Sequence, residues 1–188
     1  SALENIIIPA SVDTIGESCF ASCFALESVT YEDGSTLTSI GKNAFDGCGR
    51  LKNIIIPASV STIGEYCFSV CSALESVTFE EGCILSSIAN YAFNGCSALQ
   101  SITIPASVET IGQSCFSYCS ALESVTFEKS SKFEKGSKLT TIGGSAFHSC
   151  EALKSITIPA SVETIGEYCF ASCSALESVT FEKSSKLV

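Results

Sequence analysis

One pattern of apolar and polar positions runs through the chain, clearest from Leu153 to Cys173 as L-K-S-I-T-I-P-A-S-V-E-T-I-G-E-Y-C-F-A-S-C. Its leucine returns as Leu3, Leu26, Leu51, Leu74, Leu99, Leu122, Leu153 and Leu176, at steps of 23, 25, 23, 25, 23, 31 and 23 residues. A period in this range marks a solenoid, in which no single copy can bury its apolar face alone. Within one copy Leu153, Ile156 and Ile158 point one way and Ser155 and Thr157 the other, until Pro159 closes the run. Alternation ended by a residue with no amide proton predicts a short strand. Val162, Ile165, Cys169 and Cys173 then follow at spacings of three, four and four. That spacing predicts a short helical segment with these residues on one face and Phe170 at its margin. Glu167, Tyr168, Ala171 and Ser172 are expected to face water, and Gly166 to permit the tight turn into the segment.

Strand, turn, short helix and return make one coil. Stacked coils give an α/β repeat: a right-handed, curved solenoid with a parallel β-sheet on its concave face and short helical segments on its convex face. Residues 1–188 read as a single solenoid of about eight strands. Ser1 begins inside a copy, and the closing F-E-K-S-S-K-L repeats the start of the loop at Glu128, so the array is expected to continue without caps.

Two kinds of copy alternate, making a longer unit of 48 residues. The first carries a proline and two cysteines, such as Pro105 with Cys115 and Cys119. The second puts Glu32, Glu80 or Glu128 in place of the proline, and Ala44, Ala92 or Ala146 in place of the first cysteine. Its loop is longer and passes through Gly34 or Gly82. At Glu128–Leu139 this loop swells to E-K-S-S-K-F-E-K-G-S-K-L, the largest departure from the pattern.

The consensus L-x-x-I-x-I-P-x-S-V-x-x-I-G-x-x-x-F-x-x-C resembles the BspA-like leucine-rich repeat, over essentially the whole chain. The resemblance implies a solenoid belonging to a large surface-exposed or secreted protein, with a role in adhesion to host matrix proteins and cells. It implies an interaction scaffold with no shared catalytic residues, and a fold by itself does not name a partner.

The net charge of −10 argues against nucleic acid, which needs a basic stripe. Half of the ten basic residues lie between Lys129 and Lys154, so the acidity is locally reversed. No apolar run approaches the roughly 20 residues that span a bilayer, so this segment is expected to make no membrane contact. None of the five asparagines begins a glycosylation sequon.

Twelve cysteines form two columns, with Cys83 alone in a loop. The bland reading is buried thiols acting as small apolar wedges, since Ala replaces one column in alternate copies. Disulfides between coils and thiolate metal binding are the sharper readings, and metal binding fails for want of a histidine-bearing tetrahedral set. Cys83 is the thiol expected to be accessible. A secreted protein with a dozen free thiols is unusual, which keeps an intracellular scaffold, held reduced, as the rival reading.

The outward strand positions form a candidate partner-binding floor: Ile7, Thr30, Ile55, Thr78, Thr103, Thr126, Thr157 and Thr180 in one column. Asn5, Ser28, Asn53 and Ser76 begin the column beside it. Ser and Thr are also ordinary filler on a solvated sheet. The face lacks the aromatic and Arg anchors of tight interfaces, so weak, avidity-dependent contact is expected. The second candidate is the long loop, where Lys129, Lys132, Lys135 and Lys138 surround Phe133 and suit an acidic partner; a solvated insertion is the plain alternative. Tyr66, Tyr91, Tyr118 and Tyr168 lie on the outer side of the coils. Unpaired coils at the ends leave end-to-end self-association open. His148, the single histidine, sits outward with Cys150 facing the core, so no catalytic pair is expected. Nothing in the sequence calls for a cofactor or a metal.

Overall fold

The structure, a computed structural model, describes residues 2–130, 132–133 and 136–183. Its strands run β1 (Asn5–Ile8), β2 (Thr14–Ile15), β3 (Ser28–Tyr31), β4 (Ser39–Ile40), β5 (Asn53–Ile56), β6 (Thr62–Ile63), β7 (Ser76–Phe79) and β8 (Ser87–Ile88). They continue as β9 (Ser101–Ile104), β10 (Thr110–Ile111), β11 (Ser124–Phe127), β12 (Thr141–Ile142), β13 (Ser155–Ile158), β14 (Thr164–Ile165) and β15 (Ser178–Phe181). Odd strands have four residues and even strands two. Each coil contributes one of each, except that the last described coil contributes β15 alone. In β9, Ile102 and Ile104 are buried while Ser101 and Thr103 are exposed, as the alternation requires.

The odd strands stack in parallel, but not evenly. β1 and β3, β5 and β7, β9 and β11, and β13 and β15 pair over four residues each. Between these pairs the register shrinks to Ser28 with Asn53 and Ser76 with Ser101. Between β11 and β13 the sheet divides, into six strands and two. The alternating proline supplies the reason. Where the second coil of a pair carries glutamate, the amides of Glu32, Glu80, Glu128 and Glu182 close the ladder on the carbonyls of Ile8, Ile56, Ile104 and Ile158, at 2.9–3.0 Å. At the other junctions Pro57, Pro105 or Pro159 stands there and has no N–H to donate. The even strands, free of proline, form an unbroken seven-stranded ladder.

The expected helical segments are replaced by turns: among the described residues there is no helix. In each complete coil two residues four apart adopt left-handed backbone, for example Ser114 (φ 50°) and Tyr118 (φ 62°). A left-handed residue at every fourth position is incompatible with an α-helix. The amides instead alternate between two kinds of acceptor. Ser114, Phe116 and Tyr118 donate to the next coil, on the carbonyls of Gly144, Ala146 and His148 at 2.9, 2.8 and 2.8 Å. Ser117 and Cys119 donate three residues back, to Ser114 and Phe116 at 3.2 and 3.3 Å. Turns that point every third or fourth side chain inward carry the same sequence signature as one helix face.

Phenylalanine, expected at a margin, forms the centre of the core. The rings of Phe20, Phe45, Phe68, Phe93, Phe116, Phe147 and Phe170 stack coil upon coil, with centroids 5.2–5.7 Å apart. The five central rings are fully buried, each contributing about 1.5–3 kcal/mol by leaving water. Glycine before the turns serves close packing between coils. A Cβ on Gly112 would stand 2.5 Å from the backbone nitrogen of Asn90, and Gly166 meets the backbone of Gly143 and Gly144 in the same way.

Candidate interaction surface

The pleat of the odd strands carries the outward columns, and their register decides the geometry. Ile7 lies beside Thr30, Ile55 beside Thr78, Thr103 beside Thr126 and Thr157 beside Thr180. All eight are exposed. The neighbouring column partly satisfies itself: Ser28 donates to Asn5 Oδ1 and Ser76 to Asn53 Oδ1, each at 2.6 Å. Thr157 and Thr180 share a hydroxyl hydrogen bond of 2.9 Å. Ile7 and Ile55, 65% and 48% exposed, are apolar spots in an otherwise hydroxyl-lined floor.

At the rim of this floor the loops of the glutamate-bearing coils border two clefts. The first, about 590 Å³, lies between the Gly82 loop and the long loop, with Cys83, Ile84, Pro105, Lys132, Phe133 and Lys138 among its walls. The second, about 440 Å³, repeats the arrangement 48 residues earlier, around Tyr31, Asp33, Ile55, Pro57 and Glu80. Both open where proline interrupts the ladder. The structure therefore brings Lys129, Lys132, Phe133 and Lys138 to one cleft; Lys135 lies outside the described residues. Two of these lysines also have partners within the chain. Lys129 Nζ meets Glu182 at 2.6 Å, and that contact holds the Glu182 carboxyl below its ordinary pKa. Lys138 bonds Glu109 at 3.3 Å and sits 5.2 Å over the Phe133 ring.

The glutamates that replace proline have a second duty that sequence reading missed. Glu32, Glu80 and Glu182 turn their carboxylates onto the amides of Ala10, Ala58 and Ala160 in the preceding coil, at 3.0, 2.9 and 3.2 Å. The signal was present in the strict Pro–Glu alternation.

All twelve cysteines are free. Seven of the eight in the central coils are fully buried side chains or nearly so, and Cys83 is half-buried. The exposed thiol is Cys19 rather than Cys83. The larger column does more than fill space. Cys48, Cys71, Cys96, Cys119, Cys150 and Cys173 each donate a thiol hydrogen bond to a phenylalanine carbonyl of the preceding coil, at 3.0–3.3 Å. Burial pushes Cys48, Cys119 and Cys169 up to about 12, and raises Cys67, Cys96 and Cys115 well above their ordinary range. Cys173, beside Cys150, is the exception and is lowered. Among the described residues no cluster of His, Cys, Asp and Glu is arranged to hold a metal, and no helix is long and apolar enough to cross a membrane.

His148 does not simply face solvent. It is half-buried, edge-on to Tyr118 at 5.4 Å, and its Nδ1 is buried without a hydrogen-bond partner.

A family model described as BspA type leucine rich repeat region matches six copies, over residues 1–123 and 86–188. No curated protein matches the chain. Among solved structures, a leucine-rich repeat protein of T. pallidum is 27% identical, with 94% of this chain and 74% of that one covered and a TM-score of 0.68. The pneumococcal vaccine antigen PcpA is 24% identical over 97% of this chain and 51% of its own, with a TM-score of 0.53. At that identity it shares the fold alone, and this chain spans about half its length.

Proposed function

The chain belongs to the BspA-type leucine-rich repeat family, and from that premise we propose that residues 1–188 are one non-enzymatic protein-interaction module of a cell-surface or secreted protein. Leucine-rich-repeat families are generally binding scaffolds, and the finer assignment is adhesion to a host or matrix protein. The observation that carries it is the exposed column from Ile7 to Thr180, in register within each pair of coils and backed by the stacked phenylalanines. An extended partner would lie across these hydroxyls, with Lys132 and Phe133 engaging it from the rim. A floor so poor in aromatic and Arg anchors gives weak single contacts, so binding depends on many copies acting together.

A second reading, an intracellular scaffold kept reduced, draws on the twelve free cysteines. Burial weakens its claim, because thiols pushed up to about 12 are poor nucleophiles and persist in air. A thiol assay on protein from its native compartment separates the two: ordered disulfides would place the chain outside the cell.

The adhesion reading is tested by tetramerising the chain and passing it over immobilised extracellular-matrix proteins. Retention is expected, and Thr103→Arg with Thr126→Arg should weaken it by about tenfold. A tetramer that no matrix protein retains, or retention indifferent to these changes, would overturn the reading.

A further inference from the structure

The turn wall of the coils carries a surface that the strand face does not explain. In the three coils that contain β8, β10 and β12, the equivalent segments 88–98, 111–121 and 142–152 hold a single charged residue, Glu151, although the chain has 20 acidic and 10 basic residues. What they present instead is Asn90, Tyr91, Asn94, Gln113, Tyr118 and His148, among serines and glycine. Tyr118 is 55% exposed. Tyr91 stacks on Tyr66 of the coil before, with centroids 4.6 Å apart and planes within 2°. Tyr118 stands edge-on to His148, whose buried Nδ1 has no partner.

The backbone makes these tyrosines costly. Tyr66, Tyr91 and Tyr118 have φ of 56°, 59° and 62°, a region that bulky side chains disfavour. Related coils fill the same positions with residues that fit more easily: Ser114 and Ser145 where Tyr91 stands, Gly95 and Ser149 where Tyr118 stands. Stacking on Tyr66 accounts in part for the half-buried Tyr91, whereas Tyr118 is 55% exposed and meets His148 only edge-on. Strain kept at the exposed Tyr118 points to a role in binding.

We propose that this turn face of the three central coils is a binding surface for neutral carbohydrate. A pyranose ring is apolar on its C–H faces and hydroxylated at its rim. The tyrosine rings suit the first, and the side-chain amides of Asn94 and Gln113 suit the second; the Asn90 amide is engaged within the chain, donating to Glu65 at 3.2 Å and accepting from the Gln113 backbone at 2.8 Å. The scarcity of charge, with no Lys or Arg in any of the three segments, matches an uncharged ligand and offers no cation to a phosphate or a sialylated glycan. Tyrosine with serine, asparagine and glycine is also a composition that binds protein, so the test must tell the two apart.

The chain has no Trp, so its fluorescence reports its five tyrosines directly. The probe is a panel of neutral hexose and N-acetylhexosamine oligosaccharides, first arrayed and then titrated against the full chain. Binding is expected to be equal at low and high salt, and to fall by about tenfold or more in Tyr118→Ser and in Tyr91→Ser. Each variant should still fold, shown by a cooperative melt, because serine already stands at the equivalent positions Ser114 and Ser149. Three results would overturn the proposal: no oligosaccharide bound, binding that salt abolishes, or binding that survives both substitutions. Binding to a matrix protein that persists after its glycans are removed, yet is lost in Tyr118→Ser, would assign the surface to protein instead. Thr103→Arg with Thr126→Arg, on the other wall, should leave oligosaccharide binding unchanged, so this proposal and the adhesion reading fail separately.

Discussion

The two walls of each coil come from one repeat yet are joined in opposite ways. On the wall of the four-residue strands the ladder is full within a pair of coils and shrinks to a single residue pair, or to none, between pairs. On the wall of two-residue strands and turns no junction is lost, including the one beside the long Glu128–Leu139 loop, although between β6 and β8 the ladder narrows to Ile63 with Ile88. There the phenylalanine stack runs without interruption, and the thiols of the larger cysteine column, such as Cys96 and Cys119, bond back to the coil before them. The difference teaches where cohesion resides. The spine of turns and rings holds the array, which frees the strand wall to carry proline, longer loops and open clefts.

The largest expected effect tests that division directly. Phe116→Ala should cost about 3–5 kcal/mol, since a ring stacked on both sides leaves a cavity, while Ser124→Ala on the strand wall should cost less than about 0.5 kcal/mol. Similar urea midpoints for the two would dissolve the distinction between the walls.

Alkali should attack the spine selectively. The thiols of Cys48, Cys119 and Cys169 titrate near 12 in the fold against an ordinary 9.0, so the folded state holds their protons longer than the unfolded chain does. Their contribution is complete below pH 9 and is lost as pH climbs towards 12. The urea midpoint should stay level through neutrality and fall above pH 9, less steeply in Cys119→Ser. A midpoint that holds level to pH 11 would contradict the burial of these thiols.

A smaller effect probes how closely the coils approach. Gly112→Ala sets a methyl 2.5 Å from the Asn90 nitrogen and should cost about 1–3 kcal/mol through displaced backbone. The smallest concerns the proline itself. Pro105→Ala restores an amide opposite the Phe79 carbonyl and should change stability by less than about 1 kcal/mol. Its informative readout is hydrogen exchange. Slow exchange at residue 105 means that proline alone keeps this junction open, and rapid exchange would locate the cause elsewhere.

Much of this architecture can be read from residues alone. Leu153, Ile156 and Ile158 against Ser155 and Thr157 declare a strand and its two sides, and the 23- to 25-residue period declares the stack. The exposed column from Ile7 to Thr180 follows from the same alternation. The turn segments misled because Val108, Ile111, Cys115 and Cys119 have helical spacing while the backbone between them turns left-handed at Ser114 and Tyr118. The rim clefts were invisible because they join Tyr31 to Pro57 and Ile84 to Phe133, residues of different coils. The Pro–Glu alternation was plain as a pattern, but its consequence for the ladder needed the neighbouring carbonyls.

Periodicity by itself determined the coil, its in-and-out assignments and the cysteine columns, since these depend only on which side chains avoid water. Tertiary structure decided the conformation of the turns, the stacking of the phenylalanines, the thiol hydrogen bonds and the uneven sheet. In each of these the partner that settles the matter lies one coil away, and a local pattern records that a side chain is buried without recording which backbone carries it there.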